Sequence, residues 1–335
     1  MTTPLRVGVV GAGAIAQVAH LAVLAKMTDV RLVALCDADV AKAQALARRF
    51  GIPDVYDDIE DVLSLASPEA VVICTPNHLH EIHTATALSA GAHVMCERPL
   101  SLTAEGVARV SRVHQQSGRV LFVGMNHRYR TDFRTVKAFA VGGELGPLRG
   151  IRAGWYIFRP LGAGVGWRER PAESGGGVML DLGLPLIDLS LWLADQPRIT
   201  RVSASYAGRP ESLVEDTACA LLYCDGGLSI FVDVSWRHIG PTEKFWFEVM
   251  GDAGSARIGP LGVFKEMHGT PVNVTPPEAL DAGDVFSASY REEWQQFLAM
   301  VRGETVAPDL EEQARLHDIF EAIARSAAEG RDIAL

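Results

Sequence analysis

The stretch LRVGVVGAGAIAQVA, Leu5 to Ala19, decides how the rest of the chain is read. Leu5 to Val10 is a short continuous apolar run cut by glycines. Ile15, Val18, Ala19, Ala22 and Val23 then recur at helical spacing as far as Lys26. The junction Gly11-Ala12-Gly13-Ala14-Ile15-Ala16 is GxGxxA. Its first glycine permits a tight turn, its second lets a diphosphate approach the backbone, and Ala16 is small enough for a helix to pack on a sheet. Free N–H groups at the helix start would face the phosphates, which makes Gly11, Gly13, Ala14 and Ile15 candidate binding residues.

The same alternation continues outward. Val30 to Cys36, Ala70 to Cys74, Ala92 to Cys96 and Val120 to Val123 read as strands. Val40 to Phe50, Leu79 to Ala90 and Thr103 to Gln116 read as helices between them. Strands without polar alternation, spaced by helices, predict a parallel sheet covered on both faces, so residues 1–125 read as a doubly wound α/β domain. After Gly124 the texture changes to a helix over Thr131 to Val141, a turn at GGELG, and the alternating runs RVSASYAG, TACALLYC, LSIFVDVSW and KFWFEVMG. Two helices, Phe286 to Gly303 and Leu310 to Glu329, close the chain. Residues 126–335 are therefore expected to form an α+β domain with a mostly antiparallel sheet.

Composition narrows the partners. A net charge of -10 over 335 residues, with no basic cluster, argues against nucleic acid. Five cysteines without a CxxC pair, three of them closing apolar runs, suit a reducing, cytoplasmic compartment. Residues 6–19 superficially resemble a secretory signal, but the glycine spacing accounts for them better. No uninterrupted apolar run reaches the roughly 20 residues of a membrane span, so no membrane role is expected.

Asp37 follows the second strand, where an acid receives a ribose 2'-hydroxyl and repels a 2'-phosphate. With no Arg immediately after it, the cofactor reads as NAD rather than NADP. In such folds the ligand lies outside the carboxyl ends of the strands. Two further strand ends qualify: Thr75-Pro76-Asn77, followed by His80, and Glu97-Arg98-Pro99.

These motifs together, GAGAIA, Asp37, TPNHLH, ALSAGAHVMCERPL, WRERPAESGGGVMLDLG with Asp188 and WLAD, and AIARSAAEGRDI, resemble the Gfo/Idh/MocA oxidoreductase family over nearly the whole chain. The resemblance implies a Rossmann domain followed by a large open sheet that binds substrate and builds a homodimer or homotetramer. It also implies hydride transfer between a nicotinamide and a sugar, cyclitol or related polyol. Trp167 and Arg168 coincide with a family pair near the cofactor.

Two positions depart from the family pattern. The strand-end Glu-Lys-Pro is Glu97-Arg98-Pro99, and the histidine of DxGxH is Pro185, with Asp181 kept. Arg98 presents several donors but does not release a proton near neutrality, so it holds and polarises. Its neighbour Glu97 is expected to pair with it. Pro185 carries no titratable group and suits the first turn of the following helix. Asp181 is then the candidate proton acceptor, with His127 and Tyr156 behind it, and Tyr156 and Asp181 are the candidate substrate contacts. The competing reading makes Asp181 only a helix cap. Asp188 reads as structural.

Two alternatives follow from the departures: a cofactor-binding but redox-silent sensor or partner subunit, and an NAD-retaining lyase or glycosidase. His78, His80 and His83 approach a metal-binding pattern, but Ile82 stands where that pattern needs an aspartate, so no metal is assigned. The run Trp155 to Arg170, with Trp155, Tyr156, Phe158, Arg159, Trp167 and Arg168, reads as a glycine-broken loop facing ligand or packed on the sheet.

Overall fold

The computed structural model describes residues 3–159, 166–280 and 283–335. The glycine-broken part of the expected loop, residues 160–165, lies outside the described residues. The chain forms two compact units, Met1–Asn126 with Phe286–Arg315, and His127–Val285 with Leu316–Leu335.

The first unit is built on β1 (Leu5–Val10), β2 (Val30–Cys36), β3 (Asp54–Tyr56), β4 (Ala70–Ile73), β5 (His93–Glu97) and β6 (Leu121–Gly124). Their order is β3-β2-β1-β4-β5-β6 and every pair is parallel. Central strands are apolar on both faces because helices cover both. Val9, Val71, Val72 and Ile73 are fully buried, each contributing about 1.5–3 kcal/mol relative to exposure. The order reverses between β1 and β4, the point where such sheets bind ligand. The first helix spans residues 14–24 and includes a π turn at Ala16–His20, a wider turn that local spacing does not announce.

The second unit carries β7 (Leu148–Tyr156), β8 (Ile199–Ala207), β9 (Thr217–Cys224), β10 (Ser229–Ser235), β11 (Lys244–Gly251), β12 (Gly254–Ile258), β13 (Gly262–Met267), β14 (Thr270–Asn273) and β15 (Ile333–Ala334). Among the described residues they make one nine-stranded sheet, β14-β13-β12-β11-β7-β10-β9-β8-β15. It is antiparallel throughout except for the β7–β10 pair. Burial alternates strictly along β9, with Ala218, Ala220, Leu222 and Cys224 buried, as expected for a sheet with one covered face.

β7 corrects the reading of Trp155 and Tyr156 as loop residues. Its pattern is hidden by Gly150 and Gly154, and Gly154 is required because a Cβ there would lie 2.0 Å from the Trp246 ring. Pro171–Leu193 is long and apolar enough for a membrane span by length and composition, although Glu173, Asp181 and Asp188 interrupt it as an apolar run. Its most apolar window is 78% buried inside the protein, the environment of a core helix.

Candidate active site

The glycine turn is shaped by contact with the neighbouring strand. Gly11 has φ +98°, and a Cβ on it would lie 2.6 Å from the Cys74 carbonyl, so no side chain fits. Gly13 is different. A Cβ there would meet only the Cys74 oxygen, at 3.9 Å, which leaves open space beside the helix start. A diphosphate needs that opening, together with the unpaired first-turn N–H groups around Ala14 and Ile15. The residues therefore fit a dinucleotide.

Asp37 organises the other side of the turn. Its Oδ2 accepts from the Ala12 N–H at 2.7 Å, and its Oδ1 accepts from the Asp39 N–H at 2.9 Å and lies 2.9 Å from Lys42 Nζ. Burial raises the Asp37 pKa, but the Lys42 and backbone hydrogen bonds reverse that and hold it below its ordinary value. Lys42, five residues on, was not recognised in the sequence.

The ends of β4 and β5 are joined by His80. This imidazole is buried, with Nδ1 2.7 Å from the Pro99 carbonyl and Nε2 2.8 Å from the Thr75 carbonyl. Burial lowers its pKa, against the pull of both carbonyls. Thr75 Oγ1 lies 3.1 Å from His83 Nδ1. His80 and His83 thus serve the strand ends. The helix Asn77–Ser89 begins directly after Pro76.

Glu97 is hydrogen-bonded to His20 Nε2 at 2.8 Å, a partner not foreseen from its adjacency to Arg98. Trp294 donates its indole N–H to His20 Nδ1 at 3.0 Å. That nitrogen carries no proton, so His20 is neutral and donates Nε2–H to Glu97. Burial raises the Glu97 pKa, and the His20 hydrogen bond with the charge of Arg98 brings it below its ordinary value. Arg98 itself is half-buried at the turn.

In the second unit, Asp181 lies in the π turn Met179–Gly183 that opens the helix ending at Leu193. Its own N–H donates to the Gly177 carbonyl inside the helix, so it is not the cap. Its Oδ2 accepts from the Trp236 indole at 3.1 Å, and its Oδ1 lies 3.5 Å from Arg168 Nε. The Arg168 guanidinium stacks 4.4 Å from the Trp167 ring centre. Trp167, Arg168 and Asp181 are therefore brought together, with Trp236 added. Pro185 is buried in the first turn of Leu184–Leu193.

Capping of this helix falls to Glu215, which was also unrecognised in the sequence. Its carboxylate accepts from the Gly177 N–H at 3.0 Å and the Met179 N–H at 3.1 Å. A Cβ on Gly177 would sit 2.1 Å from the Glu215 carbonyl oxygen, which explains one glycine of the GGG run. Removing both acceptors in Glu215→Ala should cost about 1–2 kcal/mol. A lower urea midpoint at unchanged slope checks this, and Glu215→Gln should recover part of the loss.

Tyr156 is not gathered with Asp181. It lies on the sheet face opposite Ala153 and Trp155, donating to Asp233 Oδ2 at 2.5 Å. Burial and the Asp233 hydrogen bond raise its pKa well above that of a free phenol. His127 packs edge-on against Trp155, ring centres 5.6 Å apart. Asp188 accepts from Arg128 Nε at 2.8 Å in a nearly buried ion pair, a structural role.

Residues 5–125 match the oxidoreductase family with an NAD-binding Rossmann fold, and residues 133–257 match the GFO/IDH/MocA C-terminal domain. The chain belongs to the Gfo/Idh/MocA oxidoreductase family. Among relatives of this NAD-binding oxidoreductase, a 1-carboxy-3-chloro-3,4-dihydroxycyclohexa-1,5-diene dehydrogenase of Comamonas testosteroni is 30% identical, over 98% of this chain and 78% of its own. A D-glucoside 3-dehydrogenase of Escherichia coli is 26% identical over 100% and 98%. The crystal structure of GenD2 from gentamicin A biosynthesis in complex with NAD has a TM-score of 0.87 at 26% identity, covering 100% of this chain and 97% of that one.

Proposed function

We propose that this family member transfers hydride between NAD and a carbon bearing a hydroxyl group on a sugar, cyclitol or related polyol. The observation that carries the reading is Asp181, a carboxylate held between the Trp236 indole and Arg168 on a capped helix. NAD, when bound, supplies the hydride acceptor. Gly11, Gly13, Ala14 and Ile15 hold its diphosphate, and Asp37 its adenosine ribose, favouring NAD over NADP. Thr75, Pro76, Asn77 and His80 shape the strand-end crevice with Glu97. Arg98 contributes fixed charge toward a substrate hydroxyl or the nicotinamide ribose, and Asp181 takes the hydroxyl proton. Trp167 and Arg168 orient that carboxylate. His127, packed on Trp155, is the reserve base, and Tyr156 belongs to the open sheet face.

The named activities of the glucoside and cyclohexadiene-diol relatives support an alicyclic or pyranose polyol. The open sheet face, with Tyr156 and Trp246 in edge contact at 4.9 Å, is proposed to bury itself against a second copy.

A panel of aldoses, cyclitols and glycosides with NAD tests the proposal through the appearance of NADH. A second reading, a redox-silent cofactor binder, is favoured by one observation: Pro185 offers no proton-transfer group where the family uses histidine. The double variant Arg98→Lys with Pro185→His separates the two. The enzyme reading expects loss of an existing activity. A large gain in rate at unchanged NADH binding would favour the silent reading.

A further inference from the structure

One buried acid of the first unit is unused by the proposed reaction. Glu293, on the helix Val285–Val301, is 0% exposed, and neither carboxyl oxygen meets full hydrogen-bond geometry, although the Met125 amide lies close enough to favour the charged form. Ionised carboxylates are not left in such places without strong compensation, so this burial favours the neutral acid. Gly124 ends β6 beside it. A Cβ on Gly124 would lie 3.6 Å from Glu293 Oε1 and 3.7 Å from Glu97 Cδ, so the two carboxyl groups border the same small space.

The groups facing Glu293 can be named. From β5 and its turn come Glu97 and Arg98, and from its own helix Tyr290, while the end of β6 contributes the uncharged Gly124 and Met125. His20 hydrogen-bonds Glu97 and packs edge-on against Tyr290 with ring centres 5.2 Å apart. Burial first, and then the charge of Glu97, push the Glu293 pKa well up, against the Met125 amide and Arg98.

The strand order fixes what comes near. The β1–β3 half carries the glycine turn and Asp37, which leaves the β4–β6 half, ending in Thr75, Glu97 and Gly124, for the nicotinamide. That ring is a cation when oxidised and neutral when reduced. A cation beside a neutral buried acid favours its ionisation.

We propose that Glu293 is a charge-compensating acid for the cofactor, protonated when NADH occupies the crevice and releasing its proton to solvent when NAD does. This rests on the reading that NAD binds there. By reciprocity, rising pH must then favour NAD over NADH.

The test is calorimetric titration of the wild type and Glu293→Gln with NAD and with NADH, each in two buffers of different ionisation enthalpy, over about pH 6–9. In the wild type, NAD binding should release up to one proton and NADH binding none. The ratio of NAD to NADH affinity should rise with pH, by at most about tenfold per unit. In Glu293→Gln both effects should vanish. Infrared difference spectra of the wild type give a readout independent of the variant's folding: the protonated-carboxyl band should fall with NAD and persist with NADH. Proton release that is absent in the wild type, or unchanged in Glu293→Gln, while both cofactors bind, would overturn the proposal. Failure of either cofactor to bind the wild type would instead overturn the cofactor reading beneath it.

Discussion

Asp181→Asn should lower kcat by about 10²–10⁴, the usual contribution of a positioned acid–base group, with NADH affinity unchanged. The substitution preserves shape, and the Asn carboxamide oxygen still accepts from the Trp236 indole, which now donates to Oδ2 at 3.1 Å. What is lost is the capacity to take a proton, along with the charge facing Arg168 at 3.5 Å. The side chain is 27% exposed, so little stability is at stake. The helix is capped by Glu215, so its folding does not depend on Asp181. Steady-state kinetics on an active substrate check this. A fall in kcat no larger than that of Glu215→Ala, accompanied by a matching loss of stability, would show Asp181 to be architectural.

Gly13→Ala and Gly11→Ala should part company. Gly13→Ala keeps the fold, since its Cβ meets nothing nearer than 3.9 Å, but it occupies the space the diphosphate needs. NADH affinity should fall about ten- to a hundredfold, or about 1.4–2.7 kcal/mol, at unchanged thermal midpoint. Gly11→Ala forces a left-handed φ on a side chain driven to 2.6 Å from the Cys74 backbone, so it should destabilise the first unit itself by about 1–3 kcal/mol or more. Paired thermal melts and fluorescence titrations distinguish the two. Equal melting losses would mean that the opening beside Gly13 is structural space and no ligand seat.

The parallel sheet was legible because its signals are local: apolar runs, helical spacing and glycines all lie within one βαβ unit. The antiparallel sheet was legible where alternation is clean, as in β9, and illegible in β7, where Gly150 and Gly154 make room for side chains contributed by other strands. Asp37 could be singled out from its distance to the glycine turn, against which its carboxylate folds. Lys42 could not, since a lysine early in a surface helix has no distinguishing pattern. The His20–Glu97 and His20–Trp294 hydrogen bonds span 77 and 274 residues, so no window of sequence contains them. Asp181 was visible as a residue, but setting aside the cap reading required Glu215, which lies 38 residues beyond Gly177. Tyr156 was read as a loop residue because Gly150 and Gly154 mask the alternation of β7, and the face it takes follows from a strand register that the sequence does not display.

The most direct test of the account is calorimetric titration of the intact chain with NADH, run beside Gly13→Ala. Saturable binding at one site per chain, weakened in the variant without change in its melting, is the predicted result. Absence of heat with both NADH and NAD in a folded wild-type protein would contradict it.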